Sequence, residues 1–342
     1  MLTGMPQPSL LLPAFALACI CHAPEAFAQL PSLVLDNGVV QARVSQAAGG
    51  RLLSFALAGR PNFLLVDEAA GDPDTVPDAQ SGHVAWQGHE VWIGPQEEWW
   101  QHQDVHPARA AARAAWPPDP YLSLSAYTLR RRSSTTIELE SPPSPVSGVR
   151  LRKTYSLPAQ APDSLHLVAE TVNTGIEAIS RDIWFNTRVR PDTQVIVPVA
   201  HQRDVRLAPG ATLDYVLAEG LLSLETPAGK AKGKLFAQPS HGWMAGFRDG
   251  QALVIRFAHQ PRAAIHPAQG QVELYLDADT ARPGKGLLEL EVHAPYVRLA
   301  PGARMAASET WTIVPFEGAA SRAAHIAFLR RHAAQLGLDG LD

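Results

Sequence analysis

Short apolar or alternating runs, interrupted again and again by glycine, proline, asparagine and aspartate, constrain the fold of this 342-residue chain more than any other feature. They fall at Ser32–Val44, Arg51–Leu57, His89–Ile93, Leu122–Leu129, Thr135–Glu140, Val149–Leu157, Leu165–Asn173, Ile179–Val189, Gln194–Pro198, Leu213–Leu217, Leu221–Glu225, Gly242–Arg248, Ala252–Phe257, Val272–Asp277, Leu287–Ala294 and Met305–Pro315. Turn signals stand between them, among them Asp36-Asn37-Gly38, Gly49-Gly50, Asn173-Thr174-Gly175, Arg248-Asp249-Gly250 and Pro301-Gly302. Successive side chains on a strand point to opposite faces, so each run offers one apolar face for burial. Many short strands at this spacing predict an antiparallel sandwich or barrel rather than strand–helix–strand units. All-β architectures of this length are commonly one domain.

Three stretches depart from the pattern. Residues 67–82 are rich in Asp, Pro and Gly and read as a long loop. Residues 104–120 are rich in Ala, Arg and Pro and read as a short helix followed by a rigid extended segment. Ala320–Leu336 reads as a helix with Ala323, Ile326, Phe328, Leu329 and Leu336 near one face, Arg330, Arg331 and His332 toward the other, and Gly337 as a stop signal.

The N-terminus predicts export. Leu10–Cys21 is apolar and uncharged, and Ala26-Phe27-Ala28 follows with the small-x-small pattern of a cleavage site, although residues 1–9 hold no Lys or Arg. The apolar run falls short of the about 20 residues that cross a bilayer. The expected division is a signal peptide at 1–28, a β domain at 29–318, and a C-terminal helix and tail at 319–342. Cys19 and Cys21 both lie in the leader, so the mature chain carries no disulfide, thiolate nucleophile or Cys-ligated zinc. Loss of Glu25 takes the formal net charge from −4 to −3. With no basic stripe beyond Arg130-Arg131-Arg132, nucleic acid is not an expected partner, and no later apolar run reaches a membrane span. The expected location is periplasmic or secreted; oligomeric state is not readable.

Five segments in order resemble the galactose-mutarotase-like (aldose 1-epimerase-like) superfamily, in particular its secreted branches. They are Val44–Leu57 with Gly49-Gly50-Arg51; His89–Trp99, reading His-Glu-Val-Trp-Ile-Gly-Pro-Gln-Glu-Glu-Trp; Arg152-Lys153-Thr154-Tyr155-Ser156-Leu157; Glu170–Pro198 with Trp184-Phe185-Asn186-Thr187; and Leu287–Gly302. The resemblance implies a large antiparallel β-supersandwich with a sugar-binding face, and a catalytic Glu on the closing strand. Aldose 1-epimerases carry a His where this chain has Trp184, so the resemblance does not carry over their usual acid.

On the closing strand, alternation sets Leu288, Leu290 and Val292 against Glu289, Glu291 and His293. Opening a sugar hemiacetal needs a base and an acid, which a carboxylate and an imidazole can supply. Glu291 is the candidate base, with His241 or His89 as the partner; a solvated polar face paired with Arg or Lys is the plain alternative. Trp92, Glu97, Trp99, Arg181, Asn186, Glu289 and His293 are the candidate sugar contacts, since aromatic faces with a few polar groups make a ligand site. His83, His89, His102 and His106 fit no helical zinc spacing, the Asp72-Pro73-Asp74 loop lacks the residues of a calcium hand, and neither metal nor cofactor is expected. The expected function is carbohydrate binding, with acid–base catalysis on a sugar as its active form. The alternatives are a non-catalytic sugar-binding module and a cell-envelope structural protein that reuses the fold.

Overall fold

The computed structural model describes residues 1, 30–72, 74–225, 227, 229–282 and 284–341. The expected leader, Met1 aside, lies outside the described residues. Among them the strands form two antiparallel ten-stranded sheets. The first runs from edge to edge as Leu33–Asp36, Val40–Ser45, Arg51–Leu57, His89–Gly94, Ile179–Val189, Gly286–His293, Val272–Asp279, Lys230–Ala237 and Val205–Leu207; Val297–Leu299 pairs beside Ile179–Val189. The second runs as Tyr215–Ala218, Leu221–Leu224, Gln194–Pro198, Trp243–Arg248, Gln251–Phe257, Arg304–Pro315, Ser164–Asn173, Val149–Ser156, Thr136–Glu140 and Thr128–Arg132.

Alternation decides what each sheet buries. The inner faces meet in one continuous core, to which the first sheet gives Val91, Ile183, Phe185, Leu288 and Leu290, and the second Leu167, Leu253, Trp311 and Ile313. Each such side chain contributes roughly 1.5–3 kcal/mol on burial. The second sheet also buries its outer face. Ala245, Phe247, Val254 and Val314 pack there under Ile326, Leu329 and Leu336 of the helix Arg322–Leu336. Ser321 caps that helix by accepting a hydrogen bond from the Ala324 amide, and Gly337 ends it in the left-handed conformation, φ 63°. Among the described residues no long helix covers the first sheet's outer face; short turns between Gln96 and Tyr121 pack over Trp92 and Trp184 there, and a cavity opens beside them.

Three local expectations are corrected. Leu122–Leu129 is strand only at its end, in Thr128–Arg132, because Asp119 caps a short helix, Pro120–Ser123, that occupies its start. Ala323 is exposed, and His325 takes the buried position by stacking on Phe247 with ring centroids 4.2 Å apart. Lys230–Ala237, read as no element, is a full strand whose inward positions are only Ala231, Gly233, Leu235 and Ala237. Its first five residues, all charged or small, masked the alternation.

Candidate functional site

Register sets three rows of side chains across the outer face of the first sheet. Trp92, Trp184 and His293 lie in one row, and Glu90, Asn186, Glu291 and Glu273 in the next. Arg188, Glu289, Tyr275 and Lys234 form the third.

The middle row is a buried charge network. Glu291 and Glu273 stand directly opposite each other, an unfavourable pairing of like charges. Lys234 turns in from the third row and joins them, with its Nζ 2.8 Å from Glu291 Oε2 and 2.6 Å from Glu273 Oε2. Glu291, with no exposed surface, also accepts from Trp184 Nε1 at 3.1 Å and from Asn186 Nδ2 at 3.4 Å. The His293 Nδ1 lies 2.7 Å from Asp182 Oδ2, and its Nε2 faces Glu273 at 3.5 Å. A Cβ on Gly94 would run into the Asp182 carboxylate, so glycine is required at that strand end. Burial pushes Glu291 up to about 8; Glu289 and Glu273 add to the shift and Lys234 opposes it. Burial works against the charge on His293, but Glu273 and Asp182 outweigh it and push the imidazole up to about 9. Burial also opposes the charge of Glu273, yet Lys234 and His293 hold it well below the usual carboxylate range.

A second buried knot lies beside the first. Glu90 bridges Arg51 and Arg188, each with a nitrogen 2.6 Å from Oε1, and accepts from Trp92 Nε1 at 3.2 Å. Its burial penalty is overcome by the two guanidinium groups, which hold it ionised. Arg188 reaches on to Glu289 at 2.9 Å and lies 4.9 Å from the Trp92 ring.

Above this network lies a cavity of about 810 Å3, walled by Trp92, Trp116, Trp184, Arg188, Lys234 and Glu289. Trp116 is half exposed, and His83 packs edge-on against its ring at 4.9 Å. Trp92 and Trp184 are almost wholly buried and meet at 4.8 Å as an edge-to-face pair. Trp116 therefore offers the open ring face, while Arg188 and Glu289 form a fixed, oriented polar pair beside it.

The structure brings together Trp92, Asn186, Glu289, Glu291 and His293, all on one face. It does not bring His89 to them. His89 has the parity of Val91 and Ile93, so it points into the inter-sheet core, where it bonds Thr187 at 2.9 Å and packs on Trp311. His241 lies just before the second-sheet strand Trp243–Arg248, beside the C-terminal tail at Gly340 and bonded to Ser240 Oγ at 3.0 Å. The imidazole that accompanies Glu291 is His293. Trp99 is buried, stacks on Trp184 at 5.7 Å and donates to the Ile93 carbonyl at 2.7 Å. Trp100 is buried as well, since the chain turns through the 3-10 helix Gln96–Glu98 and does not run as a strand. Glu97 is exposed on that turn, and Arg181 borders a separate cavity. Sequence reasoning missed Trp116, Asp182, Glu273 and Lys234. The polar-out alternation of Val272–Asp277 could have found Glu273.

Glu273, Glu291 and His293 place their ligand atoms within 4.8 Å of one another, and all three are buried. The Lys234 ammonium is already shared by the two carboxylates, so it supplies there the positive charge that a cation would bring.

A family model described as "Domain of unknown function (DUF4380)" matches residues 30–314. No curated protein matches the chain. Among solved structures, the chain is similar to a protein of Synechocystis sp. PCC 6803, with TM-score 0.55 and 13% identity over 84% of this chain and 97% of that one. It is similar to a galactose mutarotase-like protein from Lactobacillus casei, with TM-score 0.53 and 10% identity over 83% and 100% of the chains. It is also similar to a galactose mutarotase related enzyme from Lactobacillus acidophilus, with TM-score 0.52 and 10% identity over 84% and 99%. At such identities the likeness is one of fold, and the fold is the galactose-mutarotase-like β-supersandwich.

Proposed function

From the premise that the chain belongs to the DUF4380 family, we propose that it is an exported carbohydrate-binding protein whose ligand lies in the Trp116 cleft. The observation that carries this reading is a half-exposed indole beside a fixed Arg188–Glu289 pair in one cavity of about 810 Å3. An indole face matches the C–H face of a pyranose, and the ion pair offers both donors and acceptors to its hydroxyls. Its groups are already held in place, so binding costs little reordering. The galactose mutarotase-like relatives, which share the fold, add support.

The test is a calorimetric screen of monosaccharides and glycans against the wild type, Trp116→Ala and Glu289→Gln. The expected result is binding to at least one sugar, weakened about tenfold or more by Trp116→Ala, or about 1.4 kcal/mol. Absence of binding to every sugar, or full binding by Trp116→Ala, sinks the reading.

Acid–base turnover is a second reading, favoured by Glu291, which is pushed up to about 8 beside His293. Lys234 and Trp184 separate Glu291 from the cavity, so turnover requires the sugar to displace the lysine. Anomeric interconversion followed by NMR on the same sugars, with Glu291→Gln as the control, decides it.

Export rests on the apolar Leu10–Cys21 run and the Ala26-Phe27-Ala28 site. Mass spectrometry of the protein from the periplasm or medium of an expressing bacterium is expected to give Gln29 as its first residue; retention inside the cell counts against export, and an intact Met1 in the exported protein counts against the cleavage site.

A further inference from the structure

A second cavity of about 820 Å3 lies next to the Trp116 cleft, bordered by Glu98, Gln103, Asn173, Arg181, Tyr296 and Arg298. The partition between the two is one turn of chain. Gln96 borders the Trp116 cleft, Glu98 borders the second cavity, and both belong to the 3-10 helix Gln96–Glu98. Polar side chains line that turn. Gln96 Nε2 donates to the Ala115 carbonyl at 3.0 Å, next to Trp116. The Glu97 carboxylate lies 3.6 Å from His266 Nδ1, and the His266 ring meets Tyr296 edge-on at 4.7 Å. Tyr296 is itself a wall of the second cavity. Ser180 and Arg188, which border the two cavities and share the outward parity of the strand Ile179–Val189, sit eight positions apart, a separation of roughly 26 Å at about 3.3 Å per residue.

A single pyranose fills neither that length nor both cavities. Resting on the carbohydrate reading above, we infer that the ligand is an oligosaccharide or polysaccharide segment, one end held at Trp116 and the other at Tyr296, crossing the ridge at Glu97 and His266. The second cavity has the make-up of a sugar subsite: amide, carboxylate and guanidinium groups for hydroxyls, and one aromatic ring. Two linked subsites raise affinity because the second contact is made intramolecularly, at a high effective concentration.

The test uses gluco-, galacto-, manno- and xylo-oligosaccharide ladders, from the monosaccharide upward, titrated against the wild type, Trp116→Ala and Tyr296→Ala. For one ladder, affinity is expected to rise about tenfold or more with length and then level off. Tyr296→Ala is expected to remove that rise and leave the monosaccharide affinity unchanged, whereas Trp116→Ala lowers affinity at every length. Affinity that is independent of length, or a Tyr296→Ala loss equal at all lengths, overturns the extended site and leaves the Trp116 reading standing. Failure of every ladder and every monosaccharide to bind overturns both.

Discussion

Lys234 is the side chain on which most of the site depends. It reaches the cavity with part of its surface and spends its charge on two buried carboxylates below, while its ammonium lies 4.6 Å from the Trp184 ring. Removing one partner of a buried ionic cluster leaves the others uncompensated, at a cost of about 3–5 kcal/mol. Lys234→Met is therefore expected to lower unfolding stability by about that amount in urea titrations, and adding Glu273→Gln to it is expected to recover part of the loss. A loss below about 1 kcal/mol would mean that the carboxylates find other partners. Trp184 shows how the residue differs from what its place in the fold implies. The aldose 1-epimerases that the sequence resembles have an imidazole there; here an indole donates to Glu291 and stacks between Trp99 and His293. The imidazole on this face is instead His293, on the neighbouring strand.

Strands were readable to the extent that they were amphipathic. The closing strand Gly286–His293 sorted its apolar and charged residues as its alternation required, because one face of it meets the core of a two-layer sandwich. His89 was misassigned for the same physical reason: its odd-numbered companions Val91 and Ile93 already pointed inward, and a histidine among them had to follow. Lys230–Ala237 was unreadable because its inward positions are small and its outward positions lysine-rich, so the hydrophobic contrast that marks a strand is weak. The Trp99-Trp100 pair escaped the strand rule because the chain leaves the sheet after Gly94 and turns. The C-terminal helix was readable from its apolar face and its glycine stop, yet its buried stripe included a histidine that sequence reasoning had left out.

At the scale of the whole molecule, several buried groups tie stability to pH in the same direction. Glu309 has almost no exposed surface and accepts from Trp311 Nε1 at 2.8 Å; burial pushes it up to about 8, with that hydrogen bond opposing. A carboxyl raised in the folded state keeps its proton there and loses it on unfolding. Stability is therefore full below the unfolded value of 4.5 and declines as pH rises to about 8. Glu291 acts with the same sign over the same window, and His293 acts likewise between 6.5 and about 9. Glu90 and Glu273, held low, act oppositely, and their contribution is lost only as pH falls below the ordinary value of 4.5. His83, His89 and His325, whose burial holds them below 6.5, act oppositely up to that value, and Lys153, lowered by burial to about 7, acts oppositely above 7. The denaturation midpoint is thus expected to drop between about pH 6.5 and about pH 8, where Glu309, Glu291 and His293 act together, and Glu309→Gln is expected to flatten that drop. A midpoint that climbs over this range, or an unchanged slope in the variant, contradicts the assignment.

Sequence by itself determined the all-β class, the C-terminal helix, and the fact that the closing strand turns a carboxylate–imidazole face away from the core. These follow from alternation and capping, which act over a few neighbouring residues. Only the tertiary structure decided which charged faces meet: that Lys234 stands between Glu273 and Glu291, that Glu90 lies between Arg51 and Arg188, that His293 and not His89 or His241 accompanies Glu291, and that Trp116 lines the cleft. Those encounters depend on register between strands far apart in the chain, and a local pattern carries no information about the partner across the sheet.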